Sequence, residues 1–253
     1  MIIIQVKLKI KKLINFGLEI MRRVGKSIKF KLIFFKKILF GIIIISLFGC
    51  NKPPNIIIIL ADDAGYADFG FTGSKEIKTP NIDNLANDGV VFKNAYVSAS
   101  VCSPSRAGLL TGMYQQRFGH ECNLDSDVNN SFDPNQITIA EALKTKGYKT
   151  GIIGKWHLGD KPQNHPLENG FDYFWGFLSG ARNYFYNPDE KKRNSIRNVI
   201  ENYSQTSFEG YLTDVLGKKA ADFAQDSYKS NTPFFLFLSF NAPHTPMQAK
   251  KEV

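Results

Sequence analysis

Six residues carry side chains that can do chemistry, and each stands where a regular element ends or begins. Asp62 and Asp63 follow an apolar run and offer two hard carboxylates, suited to a divalent cation such as Ca²⁺, although Asp62-Asp63-Ala64-Gly65 also reads as an ordinary solvated turn. Cys102 opens Cys102-Ser103-Pro104-Ser105-Arg106. It is one of three cysteines, with Cys50 and Cys122, so a Cys102–Cys122 disulfide competes with a reactive role. Lys155 and His157 lie between Gly154 and Gly159, which permit close backbone approach, whereas a lone Lys or His after a strand is usually a surface residue. His244 follows another apolar run, and an imidazole titrating near neutrality suits proton donation to an alkoxide. Of the other histidines, His120 lies in Gln115–Glu121 as a weaker candidate for the pocket, and His165 stands in no recognisable pattern.

The elements that must position these groups alternate strand and helix. Asn55–Leu60 is a continuous β-branched run, read as a strand buried on both faces at the centre of a mainly parallel sheet. Thr79–Ala86 is a short helix, and Val90–Phe92 leads into a second extended segment. Pro104–Leu110 is a helix starting directly after Cys102-Ser103, with proline in its first turn. That placement aims free backbone N–H groups and the positive dipole end at position 102. Ile137–Lys146 is helical and Tyr148–Ile153 a strand. Phe208–Asp226 is a helix with Leu212, Val215, Leu216, Ala220 and Phe223 on one face, followed by a buried strand over Pro233–Phe240. Gly180–Gln205 shows no period and reads as a surface excursion near the site mouth. The pattern is an α/β sandwich, in which ligands bind at the C-terminal edge of the strands.

Charge locates the leader. Residues 1–50 hold eleven Lys/Arg against Glu19 alone, a net of +10, so the chain's +9 leaves −1 for residues 51–253. A nearly neutral remainder gives no basic groove for a phosphate backbone, and nucleic acid is not an expected partner. Lys26 to Lys37 form a positive n-region and Ile38–Gly49 an apolar run too short for a comfortable membrane span. Leu47-Phe48-Gly49-Cys50 resembles a lipobox, in which the cysteine is lipidated after cleavage. Residues 1–50 are therefore expected to be a lipoprotein leader, with an uncleaved membrane anchor as the alternative, and residues 51–253 an exported, lipid-anchored remainder at the cell envelope. Residues 1–20, ahead of Met21-Arg22-Arg23, lack that order of regions and read as a start codon taken too early.

Cys102-Ser103-Pro104-Ser105-Arg106, continued by Ala107 to Gly112, resembles the signature of the formylglycine-dependent sulfatases. Pro54–Gly65, Gly154–Gly159 and Ala242–Pro246 match the same family in the same order. The resemblance implies an alkaline-phosphatase-like fold: a mainly parallel sheet sandwiched by helices. It implies that Cys102 is oxidised to formylglycine by a maturation enzyme. The hydrated aldehyde attacks sulfur with one hydroxyl, and its second hydroxyl lets the aldehyde reform as sulfate leaves. It assigns Asp62, Asp63 and residue 102 to Ca²⁺, and Arg106 to holding formylglycine. Lys155 would contact sulfate and formylglycine, His157 a formylglycine hydroxyl, and His244 sulfate and the leaving oxygen. The implied substrates are sulfated carbohydrates or aryl sulfates.

Members of that family continue past the equivalent of Val253 with further calcium and sulfate ligands and a smaller sheet domain. The chain is therefore expected to be the N-terminal portion of a longer product, with apolar surface left bare. Three rival readings remain: a phosphodiester or phosphonate monoester hydrolase of the same superfamily, a lipid-anchored glycan-binding protein without turnover, and a structural Cys102–Cys122 disulfide.

Overall fold

The computed structural model describes residues 52–123, 132–187 and 195–251. Residues 1–50, expected to be a leader, lie outside the described residues with Cys50, and among those described no helix is long and apolar enough to cross a membrane. Six strands form one sheet. They are β1 (Ile56–Asp62), β2 (Lys149–Lys155), β3 (Tyr173–Phe177), β4 (Ile200–Glu201), β5 (Ser204–Gln205) and β6 (Phe234–Pro243), in the spatial order β1-β6-β2-β3-β4-β5. The β1–β6, β6–β2 and β2–β3 pairs are parallel, while β4 and β5 add an antiparallel hairpin. The helices are α1 (Pro80–Asp88), α2 (Cys102–Thr111), α3 (Ile139–Lys144) and α4 (Leu212–Lys229).

Strand β6 shows why two layers of helix are needed. Its side chains alternate: Phe235 and Phe237 pack with Ile152, Phe171, Phe174, Ala107 and Leu110 of α2 and Ala140 of α3. Phe234, Leu236 and Leu238 pack on the other face with Ile153, Trp175 and Leu212, Leu216, Ala220 and Phe223 of α4. The expected face of α4 is the one buried, with Val215 at its margin. Helix α3 is fixed at its start by a capping box. Thr138 Oγ1 accepts from the Glu141 N–H at 3.1 Å, and the Glu141 carboxylate accepts from the Thr138 N–H at 2.7 Å.

Three expectations give way. Strand β1 is not central: it pairs only with β6 among the described residues. Ile57 and Ile59 share the face of Leu236 and Leu238 but stay 45% and 54% exposed, because α4 covers β6 and β2 and stops short of β1. Val90–Phe92 forms no strand, and its three side chains are exposed. Gly180–Gln205 is only in part a surface excursion, because Arg182 and Tyr184 are buried within it and β4 and β5 extend the sheet. Strand β3 was not anticipated, since Asp172 and Gly176 interrupt its aromatic run.

At the C-terminal edge the strands approach closely. Leu60, Ser239, Gly154 and Gly176 lie in one row across β1, β6, β2 and β3. Gly154 has φ +112, and a Cβ there would stand 1.9 Å from the Ser239 carbonyl oxygen; a Cβ on Gly176 would stand 1.9 Å from that of Gly154. Both rows of contact are backbone against backbone, so only hydrogen fits.

Candidate active site

Just beyond that row, β1 ends in Asp62 and β2 in Lys155, while α2 starts at Cys102 and brings Arg106 one turn inward. Asp62 is the hub. Its Oδ2 stands 2.6 Å from Lys155 Nζ and its Oδ1 3.2 Å from Arg106 Nη2. Lys155 is fully buried, Arg106 is 1% exposed and Asp62 5% exposed. Burial alone would raise the Asp62 carboxyl, but the Arg106 and Lys155 charges outweigh it and hold it below the usual carboxylate range. Arg106 Nη1 also donates to the Lys155 carbonyl, at 2.9 Å, and to Ser239 Oγ, which itself donates to the Lys155 carbonyl at 2.7 Å. Ser239 thus ties β6 to the arginine; a lone hydroxyl within the apolar run Phe234–Phe240 was the signal for it in the sequence.

No disulfide joins Cys102 to Cys122 among the described residues. Cys102 is the first residue of α2 rather than a residue ahead of it. The expected row of free N–H donors is not there either. The Ser103 N–H donates to Asn123 Oδ1 at 3.0 Å, Pro104 has none, and the Ser105 N–H donates to the Val101 carbonyl at 3.3 Å. Positive charge at position 102 therefore comes from side chains, with Arg106 foremost.

Ser103 joins two histidines. Its hydroxyl donates to the His157 carbonyl at 2.7 Å, and its only proton is spent there. His120 Nε2, 2.7 Å from Ser103 Oγ, must then carry the proton and donate. Burial holds His120 below the usual imidazole range, in keeping with a neutral ring. His120 is 3% exposed and belongs to the scaffold of the site, a role no sequence pattern announced.

His157 has φ +58, and Gly180 lies so close to its ring that a Cβ there would stand 2.5 Å from Nε2. Burial first, then the Lys155 and Arg106 charges, pushes this imidazole down to about 3, so it is neutral near pH 7. Its Nδ1 is buried with no hydrogen-bond partner among the described residues, an orphan that calls for a further polar group.

His244 sits in the turn after β6. Its N–H donates to the Asn241 carbonyl at 2.9 Å, and the buried Tyr184 hydroxyl lies 2.9 Å and 2.8 Å from the Asn241 and His244 carbonyls. One phenolic proton therefore grips both ends of the turn. Asp63, with φ +65, turns away from Asp62, and its carboxylate stands 3.6 Å from His244 Nε2. Asp62, Cys102 and His244 each place one ligand atom within 4.8 Å of the others; Asp63 is not in that trio. His165 is elsewhere, stacked on Tyr203 at 4.5 Å between ring centroids.

Comparison with known proteins places this constellation. The chain is 33% identical over 225 residues to N-acetylgalactosamine-6-sulfatase of Mus musculus, which covers 81% of this chain and 42% of that protein. It is 44% identical to Ps i-CgsB, solved in complex with k-i-k-neocarrahexaose, with a TM-score of 0.76 over 79% of this chain and 48% of that one. It is 32% identical to BT4656, solved in complex with its substrate D-glucosamine-2-N,6-O-disulfate, with a TM-score of 0.62 over 77% of this chain and 35% of that one. The chain thus spans less than half the length of these relatives. The sulfatase family model matches residues 54–253, from the start of β1 through every site residue described above, and the chain belongs to the sulfatase family.

Proposed function

We propose that this chain is part of a sulfuric ester hydrolase acting on sulfated carbohydrates, with Cys102 matured to formylglycine. The observation that carries the reading is the meeting of Asp62, Cys102 and His244 beside the buried Lys155–Asp62–Arg106 cluster, in a chain of the sulfatase family. Formylglycine at 102 would supply the nucleophile, and Ca²⁺ held by Asp62 and Asp63 would polarise the sulfate oxygens. The two consecutive carboxylates fit one side of a calcium shell, which takes six to eight oxygens.

This chain's own residues do the rest. Arg106 and Lys155, both buried, would set positive charge against position 102, where a sulfate ester brings negative charge. Neutral His157 offers a hydrogen bond to residue 102 without adding to that charge. His244 Nδ1 donates to the Thr245 carbonyl at 2.6 Å, so Nε2 is the nitrogen that delivers a proton to the leaving oxygen once the ring is doubly protonated. Asp63 Oδ2 stands 3.6 Å from that nitrogen. The carbohydrate-bound relatives support a glycan substrate. The leader sequence supports export and lipidation at Cys50, which metabolic labelling with a fatty acid would detect and Cys50→Ser would abolish.

The test is peptide mass spectrometry of position 102 after co-expression with a formylglycine-generating enzyme. An aldehyde there is the expected result. A thiol left intact while a control sulfatase matures in the same cells would overturn the reading. Preference of the matured protein for an aryl phosphodiester over an aryl sulfate would overturn the substrate class.

A further inference from the structure

Before any oxidation, position 102 is a thiol, and its surroundings suit a different ligand from a sulfate ester. A carboxylate oxygen of Asp62, Sγ of Cys102 and an imidazole nitrogen of His244 all lie within 4.8 Å of one another. They come from three separate elements: the end of β1, the first residue of α2 and the turn after β6. No local sequence constraint brings them together.

Each member is prepared for coordination. His244 donates Nδ1–H to the Thr245 carbonyl at 2.6 Å, which leaves the lone pair of the neutral ring on Nε2, 3.6 Å from Asp63 Oδ2, the way a second hydrogen bond fixes the tautomer of a metal-binding imidazole. The Tyr184 hydroxyl holds the turn that carries it. Asp62 receives Lys155 on Oδ2 and Arg106 on Oδ1, and a carboxylate with about four lone-pair sites keeps others for an ion. The charges favour a cation as well. Asp62, Asp63 and a Cys102 thiolate together exceed Arg106 and Lys155 by one negative charge.

We infer that Asp62, Cys102 and His244 of the unmodified chain form a three-ligand site for a thiophilic divalent cation of the zinc class. Oxygen, sulfur and nitrogen donors are the set that Zn²⁺ takes, with three protein ligands and a fourth position open to water. Bond lengths of about 2.0–2.3 Å need the trio to contract by roughly 1 Å. Calcium, which takes only oxygens, is a poor match while sulfur is present. On binding, the thiol proton leaves to solvent and the sulfur lone pair closes the bond to the metal. Conversion of Cys102 to an oxygen-bearing residue removes the soft ligand, so maturation would switch the ion preference of one and the same site.

The test uses the full chain, reduced and freed of metal, titrated with Co²⁺ as the spectroscopic probe and with Zn²⁺ in competition. The expected result is a near-ultraviolet thiolate-to-cobalt charge-transfer band that Zn²⁺ removes. It is lost in Cys102→Ser, kept in Cys50→Ser and Cys122→Ser, and shifted at least about 100-fold to weaker binding in His244→Ala. Circular dichroism confirms that the His244 variant folds; the ring lies at the surface of the site, 19% exposed. A band that survives Cys102→Ser, that vanishes in Cys122→Ser, or that never forms in the parent chain overturns the inference. The readout needs neither maturation nor hydrolysis, so a failed formylglycine test leaves it standing, and its own failure leaves the hydrolase reading untouched.

Discussion

The Ser103 hydroxyl links two parts of the site, His120 on one side and the His157 carbonyl on the other. Ser103→Ala leaves a buried donor and a buried acceptor unpaired and should cost about 1–3 kcal/mol, read from the urea midpoint. The two neighbouring aspartates should separate sharply. Asp62→Asn strands two buried cations and should cost about 3–5 kcal/mol, whereas Asp63→Asn, at an exposed carboxylate, should stay within about 0.5 kcal/mol. Equal losses at both positions would mean that the Asp62 cluster contributes nothing beyond a surface pair. In the sequence the two carboxylates look interchangeable. A single positive φ at Asp63 distinguishes them, and no spacing rule encodes it.

Elements whose apolar pattern is local were legible from sequence, and those whose burial is decided by a distant neighbour were not. Helix α4 announces its buried face by spacing, and β6 announces itself by an apolar run that is covered on both sides. The isoleucines of β1 form the same kind of run, yet whether α4 reaches them depends on where that helix crosses the sheet. The consequence is measurable. Ile59→Lys on the bare face should change stability by less than about 0.5 kcal/mol and improve solubility, while Leu236→Ala, on the same face but under α4, should cost about 2–5 kcal/mol. The His120–Ser103 bond was hidden for a related reason. It joins α2 to a loop seventeen residues on, with no periodicity between them.

Across the whole molecule, acid should be the sensitive direction. His120, His157 and His165 are all held below the usual imidazole range, burial being the first cause in each. A histidine that is neutral in the fold and titrates near 6.5 when unfolded gives its full stabilisation above that pH and loses it as pH falls toward its folded value, about 3 for His157. Asp62, held below the usual carboxylate range, loses its share in the same direction at still lower pH. Urea midpoints should therefore decline from about pH 6.5 to about pH 4.5, and His157→Gln should flatten the slope whatever it does to the midpoint itself. A flat profile in the parent chain would contradict the buried neutral imidazoles. The row of backbone contacts at Gly154 and Gly176 bears on how this molecule would look to a geneticist. Neither residue has a side chain to offer a substrate, yet a methyl at either meets a carbonyl oxygen at 1.9 Å. In a saturation library scored by survival of function, both would rank beside Cys102 as intolerant, and a reader of that map alone would count two silent spacers among the catalysts.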